Sequence, residues 1–298
     1  MREYYLENDK LRVQILGKGA ELRSIYGKEK ELEYIWNADP KYWNRSSPVL
    51  FPFIGNLKNK TYRHEGIEYA MGQHGFARDM EFEMISHKED EIWFSVKETE
   101  ETLANYPFCF ILEIGYRLEG STLKVLWKVK NTNDVDMHFS IGAHPAFFCP
   151  LYKDDKQTDY YLKFYDKEGN VMESFVNKLL GQGGLTSLRT EIRNTPEGLL
   201  PITEDLFDID TLILENNQAG RVALVDSNKQ EYVAVTFDAP IISIWSPTRK
   251  NAPFVCLEPW YGRCDFEGFD GELKDREYGN TIEAGKVFEA EYTIEIIS

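Results

Sequence analysis

Apolar residues fall along this chain in short runs, and few of them recur at helical spacing. Residues 11–16 alternate as Leu-Arg-Val-Gln-Ile-Leu, and residues 123–129 as Leu-Lys-Val-Leu-Trp-Lys-Val. Alternation of this kind marks a half-buried strand. Further runs at 92–96, 110–118, 222–225, 232–237, 241–245 and 254–257 read the same way. Turn chemistry separates them, at Gly17-Lys18-Gly19, Glu119-Gly120, Asn131-Thr132-Asn133-Asp134 and Asp226-Ser227-Asn228. Many short strands at such spacing predict an all-β protein, a sandwich or barrel. The stretch 179–201, rich in Gly, Thr, Asn and Pro, reads as a long connection or an excursion across the sheet. No linker, internal repeat or low-complexity tract interrupts residues 1–298, so one domain is the simplest reading.

Composition sharpens this picture in three ways. Aromatic residues make up 14% of the 298 residues, mostly Tyr and Phe. They suit pleated surfaces and also the apolar C–H face of a sugar ring. The net charge of −16 repels phosphate backbones, which argues against nucleic acid while leaving room for local basic spots that hold one phosphate. Cys109, Cys149, Cys256 and Cys264 show no CxxC spacing; the first three sit in apolar runs and read as buried free thiols, which fits a reducing cytoplasm. The first residues lack an apolar signal core, and no run of apolar residues is long enough to cross a membrane, so no membrane partner is expected.

Four segments carry chemistry. In Gln73-His74-Gly75-Phe76-Ala77-Arg78, an imidazole stands beside a glycine, where the backbone can turn sharply. In Gly142-Ala143-His144-Pro145-Ala146-Phe147, a histidine interrupts an apolar run, and Pro145 ends the strand or places it at an edge. On a regular strand His138 would share the face of His144 and could point inward with it. Glu258 ends the apolar run 254–257 and precedes Pro259-Trp260-Tyr261. A carboxyl there is poorly solvated, which raises its pKa toward that of a general base, and Trp260 on the same side offers a sugar platform. Asp208 and Asp210 precede the apolar run Thr211-Leu212-Ile213-Leu214; turn duty is the plainer role, and Asp210 is a weak site candidate. No nucleotide-binding, zinc-protease or serine-hydrolase motif is present. His74, His144 and Glu258 could form a His₂Glu metal set, but they lack close pairing, so acid–base chemistry without metal or cofactor is expected.

These motifs, in this order, resemble the aldose 1-epimerase (galactose mutarotase) superfamily across nearly the whole chain, and look most like its LacX-type branch. The resemblance implies a large antiparallel β-sandwich and a cytoplasmic isomerase acting on a small aldose, free or phosphorylated. It implies His144 as general acid at the ring oxygen, Glu258 as general base at the anomeric hydroxyl and His74 as a second, sugar-binding histidine. Arg78 becomes a substrate contact, and Asp210 the candidate for the family's mid-chain sugar-binding carboxylate. Galactose-specific members carry an early Asn-Arg pair; the matching stretch here, Gly55-Asn56-Leu57-Lys58-Asn59, keeps Asn56 and lacks the Arg. Lys58, Lys60, Arg78 and Arg249 would serve a phosphate if the loops bring them together. A non-catalytic sugar-binding protein on the same fold is the alternative of a different class.

Overall fold

The structure, a computed structural model, describes residues 2–297. All eight runs read as strands lie in strands. Two sheets dominate. The larger has nine antiparallel strands in the spatial order Leu199–Pro201, Tyr161–Tyr165, Arg221–Val225, Glu231–Phe237, Val287–Ile296, Thr122–Asn131, Phe110–Glu119, Glu91–Lys97 and Glu83–His87. The smaller runs Thr211–Leu214, Ile241–Trp245, Phe254–Tyr261, Ile141–Ala143 and Val49–Leu50, with Ala146–Phe148 also paired to Phe254–Tyr261. A four-stranded sheet formed by Glu3–Glu7, Leu11–Leu16, Leu22–Gly27 and Leu32–Glu33 adds a further wall.

The two dominant sheets share one core. Val125, Trp127, Val235 and Ile294 from the larger meet Ile242, Ile244, Val255 and Leu257 from the smaller in a single buried cluster. In Thr122–Asn131, buried Leu123, Val125, Trp127 and Val129 alternate with outward residues such as Lys124 and Lys128, the pattern of a sheet with one wet face. Phe254–Tyr261 differs, since seven of its eight residues are buried. Its odd-numbered side chains enter the shared core. Phe254 and Cys256 pack on the other face in a smaller aromatic-rich cluster, and Trp260 in a second, mostly aliphatic one.

Two expectations change here. The stretch 179–201 overlaps a hairpin, Ser174–Leu180 paired with Thr186–Asn194, whose tip carries Gly181, Gly183 and Gly184. Its outward residues, Leu188 and Ile192 among them, hid the strand pattern by being apolar and exposed. The chain also breaks between Met137–Phe139 and Ile141–Ala143, so the phase that would carry His138 to the face of His144 is lost. His138 lies instead on a two-stranded ribbon, where its Nδ1 is 2.9 Å from Thr281 Oγ1. No described helix is long and apolar enough to cross a membrane.

Candidate functional site

The site is built by strand register. Ile141 and Gly142 face Tyr261 and Trp260, and Ala146 and Phe147 face Cys256 and Val255. Both segments keep one register on Phe254–Tyr261, so the residue in the gap between them, His144, stands opposite Glu258. Pro145, which has no N–H to donate, ends the ladder there as its chemistry requires, and its carbonyl accepts from Leu257 N at 3.1 Å. Side chains opposed across antiparallel strands point the same way and touch. His144 Nε2 accordingly lies 3.3 Å from Glu258 Oε2, with the residues only 7% and 1% exposed. On Glu258's other side the register places Ser243 opposite it, and Trp245 opposite Cys256. Gly142 is small for a reason, because a Cβ there would come within 2.7 Å of the Trp260 ring.

His74 arrives on a separate loop. It holds a left-handed backbone conformation, as does Gly75, where a Cβ would fall 2.3 Å from Phe51 O. A left-handed non-glycine residue is strained and is held by its surroundings. Gly55 N–H donates to His74 Nδ1 at 3.1 Å. An accepting Nδ1 leaves the ring proton on Nε2, so His74 is a fixed hydrogen-bond donor. Its ring stands edge-on to His144 at 5.7 Å, while Trp43 lies along the other imidazole at 4.7 Å and Trp245 meets it edge-on at 5.4 Å. These groups line a cavity of about 320 Å³, within the range of small-molecule sites.

Burial governs the electrostatics. It pushes His144 down to about 3, with smaller contributions from the Arg78 and Arg45 charges. It pushes Glu258 well above the usual carboxyl range, helped by the negative charge of Asp210. His74 is driven down by burial and by its cationic neighbours. His144 and Glu258 are therefore not both charged at rest. A dry site favours their neutral forms, in which the pair holds one proton on the carboxyl.

Comparison with known proteins gives this arrangement its family. Residues 2–273 match the family model described as aldose 1-epimerase. The chain belongs to the aldose 1-epimerase family. It is 36% identical to the plasmid-encoded protein LacX of Lactococcus lactis subsp. lactis over 267 residues, 86% of this chain and 87% of that protein. A galactose mutarotase related enzyme from Lactobacillus acidophilus superposes with a TM-score of 0.92 at 33% identity, covering 100% of this chain and 98% of that one. A galactose mutarotase-like protein from Lactobacillus casei ATCC 334 gives 0.90 at 30% identity, covering 99% and 100%. The galactose mutarotase-like sandwich expected from the resemblance is the observed fold.

Within this epimerase fold, His74, Arg78, His144, Asp210, Glu258, Trp260 and Asn56 all border the one cavity. Their placement differs from expectation in detail. Glu258 does not end its strand but lies in its middle, since the ladder runs on through Pro259 to Tyr261. Glu258 and His144 touch directly. Asp210 does more than turn duty. Directly before Thr211–Leu214, at φ 77°, it stands at the cavity mouth and accepts from Trp245 Nε1 at 2.9 Å. Asn56 already donates to Gly183 O at 3.1 Å, tying the hairpin tip to the rim. Arg78 donates to Gln73 O at 2.7 Å, and its Nε has no hydrogen-bond partner among the described residues, with Asp79 Oδ2 3.9 Å away.

The basic residues proposed to gather around a phosphate do not converge. Lys58 Nζ donates to Phe269 O at 2.8 Å, and Arg249 is paired with Asp208 at the surface. Of that set only Arg78 borders the cavity, where Lys250 joins it. Cys149, Cys256 and Cys264 are buried, and Cys109 is only half-buried. Sequence reading missed Trp43 and Trp245. Trp245 was findable, because it ends the apolar run 241–245; Trp43 sits in a loop that no periodicity marks.

Proposed function

We propose that this protein is a mutarotase that interconverts the α and β anomers of an aldohexose, with His144 and Glu258 as its acid–base pair. The observation that carries the reading is the 3.3 Å contact between their side chains on the wall of the cavity. The anomeric hydroxyl and the ring oxygen of a pyranose hang on the same carbon. The groups that serve them must themselves be neighbours, and a contact pair meets that need better than two groups a sugar's width apart.

In the proposed reaction the pair binds the cyclic sugar as carboxylate and imidazolium. Glu258 takes the proton of the C1 hydroxyl while His144 gives one to the ring oxygen. The C1–O5 bond breaks and the aldehyde forms. The pair is then carboxylic acid and neutral imidazole, still holding one proton. Rotation about C1–C2 presents the other carbonyl face. For closure His144 removes the proton of the C5 hydroxyl and Glu258 returns one to O1. Burial, which favours the neutral pair, thus favours the partners of the open-chain intermediate over those of the ring, and lowers the cost of opening. His74, donating through Nε2, and Trp260 hold the sugar, and Arg78, Asn56 and Asp210 contact its hydroxyls. No cofactor enters these steps.

The test is polarimetry on freshly dissolved α-glucose, α-galactose and their 6-phosphates. Acceleration of the free sugars, lost in Glu258→Gln and His144→Ala that still fold, supports the reading. Sugar binding without acceleration would leave a binding protein instead, and a preference for the 6-phosphates would assign a phosphosugar epimerase.

A further inference from the structure

Cys256 takes no part in the proposed acid–base chemistry, yet it adjoins the reacting pair. It lies two residues before Glu258 on one strand, so both side chains share a face. His144 stands opposite Glu258 on the neighbouring segment. One ligand atom from each of the three, a sulfur, a nitrogen and an oxygen, lies within 4.8 Å of the others, and all three residues are buried. Among the described residues His144 Nδ1 has no hydrogen-bond partner, and Glu258 Oε2 has no neighbour of that kind beyond the 3.3 Å contact with His144 Nε2. A buried carboxyl oxygen with one imidazole nitrogen as its sole compensation is costly and open to any cation that reaches it.

We propose that Cys256, His144 and Glu258 form an inhibitory site for a thiophilic divalent cation such as Zn²⁺ or Cd²⁺. The proposal rests on the reading of His144 and Glu258 as the acid–base pair. The donor set selects the ion: one thiolate, one imidazole and one carboxylate suit zinc and cadmium, whereas magnesium and calcium want oxygen alone. Zinc bonds of about 2.0 Å to N and O and about 2.3 Å to S separate the ligands of one tetrahedral ion by roughly 3.3–3.6 Å. The His144–Glu258 contact already has that spacing, and the Cys256 sulfur, within 4.8 Å of both ligand atoms, has about an ångström left to close. The fourth position opens to the cavity that His144 and Glu258 border. On binding, the Cys256 thiol and the Glu258 acid each release a proton to solvent, and neutral His144 donates a lone pair. Nothing is oxidised or reduced. Both members of the acid–base pair are then held by the ion and cannot move protons, so occupation and catalysis exclude each other.

The experiment titrates the purified protein with Cd²⁺, following the ultraviolet sulfur-to-metal charge-transfer band, and in parallel measures mutarotation with added Zn²⁺ or Mg²⁺. The expected result is a band saturating at one Cd²⁺ per chain, inhibition by Zn²⁺ and none by Mg²⁺. Cys256→Ser and Cys256→Ala are expected to abolish the band and weaken Zn²⁺ inhibition at least about tenfold, with metal-free activity retained. A wild-type protein without the band, or a band that survives both Cys256 variants and disappears in Cys264→Ser or Cys109→Ser, overturns the proposal. Glu258→Gln separates the two readings. If it loses the band but keeps metal-free mutarotation, the metal site stands and the catalytic assignment fails. If it loses mutarotation while the wild type binds no Cd²⁺, the reverse holds.

Discussion

Two central strands of this molecule handle the same problem in opposite ways. Thr122–Asn131, in the larger sheet, turns its lysines outward and fills its inner face with Leu, Val and Trp. Phe254–Tyr261, in the smaller, is covered on both faces and still holds a carboxyl at its centre. The first is built for stability alone. The second tolerates Glu258 because its even-numbered face ends at a cavity, where His144 meets the carboxyl and a bound sugar would complete its surroundings. What the difference teaches is that a covered strand can carry an ionisable group where its packing is left open on one side, at a cost in stability that the site then uses.

The sharpest way to break this comparison is to put an acid where the first strand has none. Val125→Glu, facing the sealed core between the sheets, is expected to destabilise the fold by about 3 kcal/mol or more, read as a lowered urea midpoint. A variant as stable as the wild type would erase the distinction between the two faces. Next in size is Glu258→Gln. Its mutarotation is expected to fall about 10²–10⁴-fold, the worth of one acid–base group, while its stability near neutral pH equals or exceeds that of the wild type.

Stability against pH sharpens the same point. The Glu258 pKa is raised in the fold, so the folded state holds a proton that the unfolded state gives up above its ordinary value near 4.5. Stability is then full below about pH 4.5 and declines as pH rises toward the folded value. His144 acts on the acid side. Its folded pKa lies near 3 against an ordinary 6.5, so stability is full above about 6.5 and is lost as pH falls through that window. Urea unfolding of Glu258→Gln and His144→Ala across pH 3–8 should flatten the alkaline and acidic arms respectively; parallel curves for all three proteins would refute the linkage. The smallest effect belongs to Asp210→Asn. Removing its negative charge lowers the Glu258 pKa, so the alkaline limb of the pH–rate profile should move to lower pH, with a loss of roughly tenfold or less in kcat/KM if Asp210 also contacts a sugar hydroxyl.

Much of this was legible in the residues, for reasons that can be named. Alternation marked the half-wet strands such as Thr122–Asn131, and the continuous apolar run marked Phe254–Tyr261. Pro145 announced the gap in which His144 sits. The contact of His144 with Glu258 was not legible, because it depends on two short segments keeping one register across that gap, and no local pattern encodes such long-range pairing. Trp43 and the rim contact of Asn56 with Gly183 depend on loop closure and were silent for the same reason. His138 misled because a strand break, invisible in the apolar run 137–143, shifts the phase of every residue before it.

The central claim is that His144 and Glu258 work as one unit, one taking a proton from the sugar as the other gives one to it. Polarimetric mutarotation rates for His144→Ala, Glu258→Gln and the double variant test it most directly. Groups acting as a unit are strongly non-additive, so each single variant should lose most of the activity and the double variant should be scarcely slower than either. Near-normal rates in a folded single variant, or losses that multiply in the double, would contradict the account.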